Sequence, residues 1–410
     1  MIISEPFYPQ VAAIGQLLTD LSEDLIKAGY QVKVVTGNPY NIFGKKNRIP
    51  GKENYKGIEI IRLRNTTFSK YRMTGRVLNY LTFHFLVYLN VLFCERPDLV
   101  FVLSTPPFIS FSGLMLKILK GSKVIYNVQD LFPDLAVELG ELKNKLFIGF
   151  LKRLSKLIVC NVDKVVVVGE YMEKKIREEL LSGRSINNHI ITIHNWADGN
   201  KIKILEDKEA ENNYLKKKWE LEGKFVVLYS GNIGYLHEFD TIISAAECLA
   251  KEGMKEIVFV FIGEGIKKNY IEEKVRGKDL NNILFFPYQS REMLTYSLGL
   301  ADVSLVTLEK GFEGMVVPSK IYGILASGRP VIAVVGGESE IVEIIREGKC
   351  GKIVKIGDCE ALVNCIINYY KDRKKCKEDG LNGRRYFEEK FDRKIATKKY
   401  IKVIEEVLKS

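Results

Sequence analysis

The stretch GFEGMVVPSKIYGILASGRPV, residues 311–331, follows directly on an apolar, strand-like run at residues 303–308. It sets a carboxylate (Glu313), a backbone-limiting proline (Pro318) and a Ser-Lys pair (Ser319, Lys320) ahead of a helical run that stops at Gly328-Arg329-Pro330. A loop that leaves the carboxyl end of a strand and feeds a helix is where open α/β sheets bind phosphates, because free backbone N–H groups and the helix dipole favour an anion there. Lys320 adds a full positive charge, and Glu313 is a strong acceptor for sugar hydroxyls. A surface loop with a solvated Glu and Lys is the competing explanation of the same spacing.

Outward from this stretch the second half alternates strand and helix. Apolar runs at 225–230, 257–262, 283–286, 303–308, 331–335 and 352–356 are each followed by helix-period sequence. The first half opens as strand, loop, amphipathic helix and strand, with Leu17, Leu21, Leu25 and Ile26 on one helical face and Val32, Val34 and Val35 in the next strand. Further strands are expected at 58–63, 99–103, 123–128, 164–168 and 190–194, and a polar, basic loop at 41–56. Such alternation in both halves predicts an α/β protein with two doubly wound, Rossmann-like parallel sheets that bind ligands at their carboxyl edges. The chain of 410 residues is also too long for one ordinary core. A charged, apolar-poor run at 199–222 marks the linker region, giving domains 1–199 and 200–390.

Composition narrows the function. Apolar content of 46% and charged content of 28% belong to a folded globular protein. The seven cysteines form no C-x-x-C pair, and an odd count suits reduced cytosolic thiols better than a secreted disulfide framework. The net charge of +11 is concentrated N-terminally, with 26 Lys and Arg against 18 Asp and Glu in residues 1–200 and 36 against 33 in the rest. A basic half suits an anionic membrane or substrate. No RNP, helix-turn-helix or zinc-finger pattern points to nucleic acid. Met1-Ile2-Ile3 followed by Glu5 has no basic n-region of a signal peptide, and so short a first strand predicts a start a few residues later than in similar chains.

Several positions are candidate ligand contacts. Gly15 stands at the entrance of the first helix, where a missing Cβ allows close approach, although a lone Gly is a weak signal. Asp130 follows the strand at 123–128 and is expected at the carboxyl edge of the first sheet, as a site residue or as a helix N-cap. Gly231, Asn232 and Gly234 form one glycine loop, and Gly263, Glu264 and Gly265 another. Approach of backbone to a phosphate or base explains both, and so do tight turns. Residues 77–94 carry no charge and sit at the lower length limit for a membrane span; Asn79, His84 and Asn90 favour a buried or membrane-facing helix, with His84 a hydrogen-bonded core residue. Residues 142–159 interleave lysines and an arginine with Leu, Ile and Phe at helical spacing, an amphipathic run compatible with a leaflet surface.

The ending Leu325-Ala326-Ser327-Gly328-Arg329-Pro330-Val331, with Phe312-Glu313-Gly314 and Pro318-Ser319-Lys320-Ile321-Tyr322, resembles the donor-site signature of the retaining, GT-B-fold glycosyltransferase family 4, most of all its WbuB-like branch in bacterial surface-polysaccharide assembly. Asn195-Trp196-Ala197-Asp198 is similar to the interdomain Asn-x-x-Asp turn of that family, and residues 391–410 to its C-terminal helix crossing back to the first domain. The resemblance implies a UDP-sugar donor, a polyprenyl-diphosphate-linked glycan acceptor, retention of configuration and no metal or other cofactor. The basic first half, the amphipathic run at 143–156 and the reduced cysteines predict a cytoplasmic enzyme held peripherally at the inner face of the plasma membrane. With the resemblance, Lys320, Ser319 and the Gly231 loop are assigned to the diphosphate side, Gly263, Glu264 and Tyr288 to base and ribose, and Glu313 to the sugar, with Pro318 and Tyr322 as further donor-site residues, Gly336-Gly337 a weaker candidate for the sugar and Asp130 a candidate beneath it. Domain closure would exclude water. Three departures stand out: Gly323 replaces a ribose-binding Glu, Gln129 replaces the His or Arg before Asp130, and Tyr235 and His237 stand where an Arg-Lys clamp is usual. A UDP-N-acetylglucosamine 2-epimerase and a catalytically silent GT-B partner of an assembly complex are the alternatives.

Overall fold

The structure, a computed structural model, describes residues 1–10, 12–38, 50–69, 73–181 and 189–410. It divides into two compact units, Met1–His194 with Ala396–Ser410, and Asn195–Ile395. The turn at 195–198 belongs with the second unit because it is bonded to residues 391–393: Ala197 N donates to Phe391 O at 3.3 Å, Arg393 N donates to Ala197 O at 2.9 Å, and the Arg393 guanidinium meets Asp198 at 3.3 Å.

The first unit holds β1 (Ile2–Ser4), β2 (Lys33–Thr36), β3 (Lys52–Tyr55), β4 (Ile58–Arg62), β5 (Leu99–Leu103), β6 (Lys123–Val128), β7 (Lys164–Val167) and β8 (Ile190–Thr192) in the order β3-β4-β2-β1-β5-β6-β7-β8. All its pairings are parallel except β3 with β4. β3 corrects the loop expected at 41–56, whose residues 41–49 lie outside the described residues. Lys52-Glu53-Asn54-Tyr55 lacks apolar alternation, yet it pairs as an edge strand through a turn in which Lys56 and Gly57 both take positive φ.

Helices α1 (Ala13–Lys27), α2 (Met73–Phe93), α3 (Phe111–Lys120), α4 (Asp134–Glu138) and α5 (Lys145–Asn161) connect these strands. α2 is the charge-poor segment read from the sequence. Gly75, Asn79, Phe83, Val87 and Val91, spaced every four residues, bury one face against the unit. His84 is half-buried with its ring nitrogens 2.6 Å from Tyr80 O and 2.9 Å from Pro107 O; both carbonyls only accept, so the neutral ring donates to one of them.

The second unit holds β9 (Phe225–Ser230), β10 (Ile257–Ile262), β11 (Ile283–Phe286), β12 (Val303–Thr307), β13 (Val331–Val335) and β14 (Gly351–Lys355), ordered β11-β10-β9-β12-β13-β14 and wholly parallel. The run IVFVFI of β10 is buried along its whole length because helices cover both faces of such a sheet. Phe225, Val227, Tyr229, Phe259 and Phe261 form the middle of the core on one face. Truncating Phe259 to alanine there would cost about 3–5 kcal/mol.

Candidate active site

In the second sheet the chain adds β10 and β11 to one side of β9 and then returns to add β12 on the other. The crevice at the carboxyl ends of β9 and β12 is therefore a topological switch point, where such sheets bind ligands. The same reversal occurs between β1 and β5 in the first sheet.

At the β9 end, strand alternation points Tyr229 into the core, where its ring lies 5.0 Å from Phe239 and 5.6 Å from Phe261. Its hydroxyl donates to Asn232 O at 2.7 Å and accepts from the Lys320 ammonium. That ammonium also sits over the Tyr229 ring, 3.7 Å from its centroid, and 3.5 Å from His237 Nε2. His237 Nδ1 lies 2.7 Å from Thr307 O at the end of β12. A carbonyl only accepts, so Nδ1 carries the proton and Nε2 turns its lone pair toward the lysine. Burial, then the neighbouring Lys320, holds His237 well below its usual pKa, so the ring is neutral. Burial alone pushes Lys320 well below the usual lysine range, and among the described residues no carboxylate pairs with it. A desolvated cation without a counter-charge is a strong anion site.

The expected loops gather around this lysine. Gly231 has φ of 138°, and a Cβ there would stand 3.3 Å from Lys320 Cε. Gly263, at φ 150°, faces the Gly231 carbonyl so closely that a Cβ would fall 2.0 Å from it. The close approach that demands these glycines is thus loop against loop. Asn232 Nδ2 folds over Gly234, where a Cβ would be 2.5 Å away. Tyr288 is 38% exposed and near enough to Tyr229 to help raise its pKa, after burial. Glu264 is exposed and paired with Lys268 at 2.7 Å. Pro318 is buried and Ser319 half-buried at the start of the helix Lys320–Ala326. Glu313 Oε2 accepts from Gly311 N at 2.7 Å, and its Oε1 lies against Gly336, 2.7 Å from where a Cβ would stand. Glu313 and Gly336 are therefore neighbours.

Tyr322 falls elsewhere. Its ring is wholly buried 5.1 Å from Phe391, because two residues along a helix turn a side chain about 200° from Lys320. Gly323 faces Leu298 and Ile202, an apolar surface. A cavity of about 400 Å³ opens beside the His237 backbone, lined by Tyr235, Asp240, Lys267, Tyr270 and Glu309 among others. Its lysine already pairs with Glu309 at 2.8 Å and donates to His237 O at 2.7 Å, which leaves Lys320 as the uncompensated charge.

In the first unit, Asp130 is three residues before Pro133, the residue capping α4, so it is not the N-cap. Asp130 N donates to Ser104 Oγ at 3.2 Å, and Thr105 Oγ1 donates to Asp130 Oδ2 at 3.3 Å. Burial pushes its carboxyl up to about 6, with the Thr105 hydrogen bond opposing. Tyr80, on α2, is pushed up to about 12 by burial and then by Glu5, with Asp130 adding to the rise and Arg76 opposing it. Glu5, Tyr80 and Thr105 thus join Asp130 at the β1/β5 switch point. Gly15 meets only ordinary contacts, 3.5 Å from the backbone of residues 6, 7 and 10 to a Cβ placed there. Sequence reasoning missed Tyr229, Tyr80 and Thr105; for Tyr229 and Thr105 a polar residue at or just past the end of a buried strand was the available signal, whereas Tyr80, inside α2, left none. Among the described residues no group of three or more His, Cys, Asp or Glu side chains is placed to hold a metal ion.

Residues 14–201 match the family described as Glycosyltransferase Family 4, and residues 211–386 that described as Glycosyl transferases group 1. The chain is 29% identical over 273 residues to the probable glycosyltransferase WbjE of Pseudomonas aeruginosa, a match covering 66% of each chain. It is 25% identical over 349 residues to the putative colanic acid biosynthesis glycosyl transferase WcaI of Escherichia coli K12, covering 82% of this chain and 83% of WcaI. Among solved structures it superposes on Anabaena HepE in complex with UDP and glucose with a TM-score of 0.71 at 15% identity, covering 98% and 99% of the two chains. With sucrose-phosphate synthase from Thermosynechococcus elongatus the TM-score is 0.77 at 16% identity, covering 99% and 98%. The fold is GT-B.

Proposed function

The chain is a glycosyltransferase built from a Family 4 domain followed by a group 1 domain, and from that premise we propose that it moves a sugar from a UDP-sugar onto a lipid-linked glycan, with retention of configuration, in bacterial surface-polysaccharide assembly. The observation that carries this reading is Lys320: a half-buried ammonium at a sheet switch point, set over the Tyr229 ring, with no carboxylate beside it among the described residues. UDP in the HepE complexes and the colanic acid role in the name of WcaI support the donor and the pathway class.

The transfer breaks the bond between the anomeric carbon and the donor phosphate oxygen, and the electron pair leaves with the diphosphate. Lys320, held by Tyr229 and His237, receives that developing charge without reorganising. The acceptor hydroxyl oxygen bonds to the anomeric carbon from the same face, and its proton passes to the leaving phosphate. Glu313, oriented by the Gly311 N–H, accepts from sugar hydroxyls. Asp130 accepts a hydrogen bond from the acceptor. No metal is assigned a role.

The test is to incubate the protein with candidate UDP-sugars, with and without a polyprenyl-diphosphate-linked glycan. Transfer, with slow hydrolysis when the acceptor is left out, is expected. Formation of an epimer without acceptor would instead make the chain an epimerase, and tight UDP binding without any turnover would make it a silent partner.

A further inference from the structure

One face of the first unit carries an apolar surface that no other part of the described chain covers. Along α2, Val77, Leu78, Leu81, Phe85, Leu89, Leu92 and Phe93 are exposed, Phe85 by 63% and Phe93 by 85%. They fall in one arc of the helix, away from the stripe that Gly75, Asn79, Phe83, Val87 and Val91 bury. The stripe runs for about 24 Å at 1.5 Å per residue. α3 packs beside α2, and α5 beside α3. These neighbours continue the surface with Ile118 and Leu119, 81% and 56% exposed, and with Leu146, Phe147, Phe150 and Leu157. Right-handed crossovers put all three helices on the same side of the sheet, since β4 to β5, β5 to β6 and β6 to β7 all step in one direction.

The charge on these helices selects the occupant. α2, α3 and α5 contain seven basic residues, Arg76, Lys117, Lys120, Lys145, Lys152, Arg153 and Lys156, and no Asp or Glu. Arg76, Lys117 and Lys152 are neutralised by Glu141, Asp163, and Asp134 with Glu179, all from outside the three helices. Lys120, Lys145, Arg153 and Lys156 have no ion pair among the described residues. A second copy of this face would set Lys120, Lys145, Arg153 and Lys156 against the same four charges, and the three helices carry no acid of their own to pair with them. An anionic lipid leaflet matches both features, phosphates for the lysines and acyl chains for the Leu and Phe side chains. Spanning is excluded for α2 by its own buried stripe: Asn79 accepts from Phe68 N and donates to Phe68 O, both at 2.9 Å, which ties the helix to the unit.

We infer that the α2–α3–α5 face is a bilayer-docking surface that lays these helices in the plane of an anionic leaflet, the cytoplasmic one, with the apolar stripe inserted among the acyl chains. The idea deepens the lipid-linked acceptor reading, since a chain docked in this way meets its acceptor by diffusion in the membrane plane, but it stands on a separate surface from the donor site.

The experiment is vesicle flotation with phosphatidylcholine alone and with added phosphatidylglycerol, at low and high salt, with UDP affinity measured in parallel. The wild type should float with anionic vesicles and keep a salt-resistant bound fraction. The variant L81S/F85S/F150S should lose at least tenfold of that binding at unchanged UDP affinity, and I118S/L119S, on a different helix, should lose several-fold. K145E/R153E should abolish the preference for anionic vesicles. The inference is overturned if the wild type floats with neither vesicle, if both serine variants float as the wild type does, or if those variants instead abolish a dimer seen by sedimentation. None of these outcomes touches UDP binding, so a failure of the donor-site reading would be seen separately.

Discussion

The second unit holds a half-buried cation and the first a half-buried acid, each at the switch point of its own sheet and each without an oppositely charged partner among the described residues. Lys320 is stacked on Tyr229 and bonded to its hydroxyl, and burial lowers its pKa. Asp130 is bonded to Thr105, and burial raises its pKa to about 6. Desolvation drives both toward neutrality, from opposite directions. The difference lies in support. The lysine is held by an aromatic face, a hydroxyl fixed to Asn232 O and a neutral imidazole, whereas the acid has one long hydrogen bond to a threonine. That contrast makes Lys320 a preorganised anion site and Asp130 a group whose charge follows the pH.

Breaking the stronger side comes first. Lys320→Ala should reduce turnover with a UDP-sugar by roughly 100- to 1,000-fold, the cost of removing one preorganised donor aimed at developing charge. Lys310→Ala, an exposed lysine ten residues away, should leave turnover unchanged in the same assay. Glu313→Gln should lower transfer about 10- to 100-fold, the worth of a hydrogen bond to a charged group, while UDP affinity stays at the wild-type value. Equal losses in both would mean that Glu313 reads the nucleotide. Tyr229→Phe keeps the ring under the ammonium and removes only the hydroxyl, so it should weaken UDP binding about 2- to 10-fold.

The weaker side is sharpened by pH. Turnover in the wild type should rise as pH passes about 6, and that step should be missing from Asp130→Asn. Stability has the opposite sign. A carboxyl whose folded pKa lies above its unfolded one costs stability as pH climbs between the two values, and the full cost persists above the folded pKa. Asp130→Asn should therefore melt higher than the wild type at pH 8, with the difference closing by pH 4. The smallest effect is expected from Gly323→Ala. A Cβ there meets Leu298 at an ordinary 3.5 Å. Helix propensity then favours the alanine by up to about 1 kcal/mol. Unchanged UDP affinity in that variant would place ribose recognition away from this position.

Much of this was legible in the sequence, for identifiable reasons. The runs at 257–262 and 331–335 are uninterrupted apolar stretches, the run at 225–230 is apolar up to its closing Ser230, all three are followed directly by glycine, and the strands occupy those same residues. Lys320 and Gly231 were visible because a charge before a helix and a glycine after a strand are local signals. Tyr229 was not, since an aromatic residue inside a buried strand looks like core, and only the strand's end exposes its hydroxyl to Lys320. Tyr322 was misjudged for the complementary reason: it is adjacent to the lysine in sequence but on the far face of the helix. β3 escaped because an edge strand of Lys, Glu, Asn and Tyr has no buried face to leave a periodic mark. The apolar stripe of α2 was seen only as a lack of charge. Which side of it faces outward depends on Asn79, whose contacts at Thr66 and Phe68 are nonlocal.

The most direct measurement is calorimetric titration of UDP into the wild type and Lys320→Ala at one pH and ionic strength. Wild-type binding should be tight, because the Lys320 ammonium meets the diphosphate with no carboxylate competing for it among the described residues. Lys320→Ala should bind at least tenfold more weakly. Equal UDP affinity in the two proteins would contradict the assignment of the donor diphosphate to Lys320.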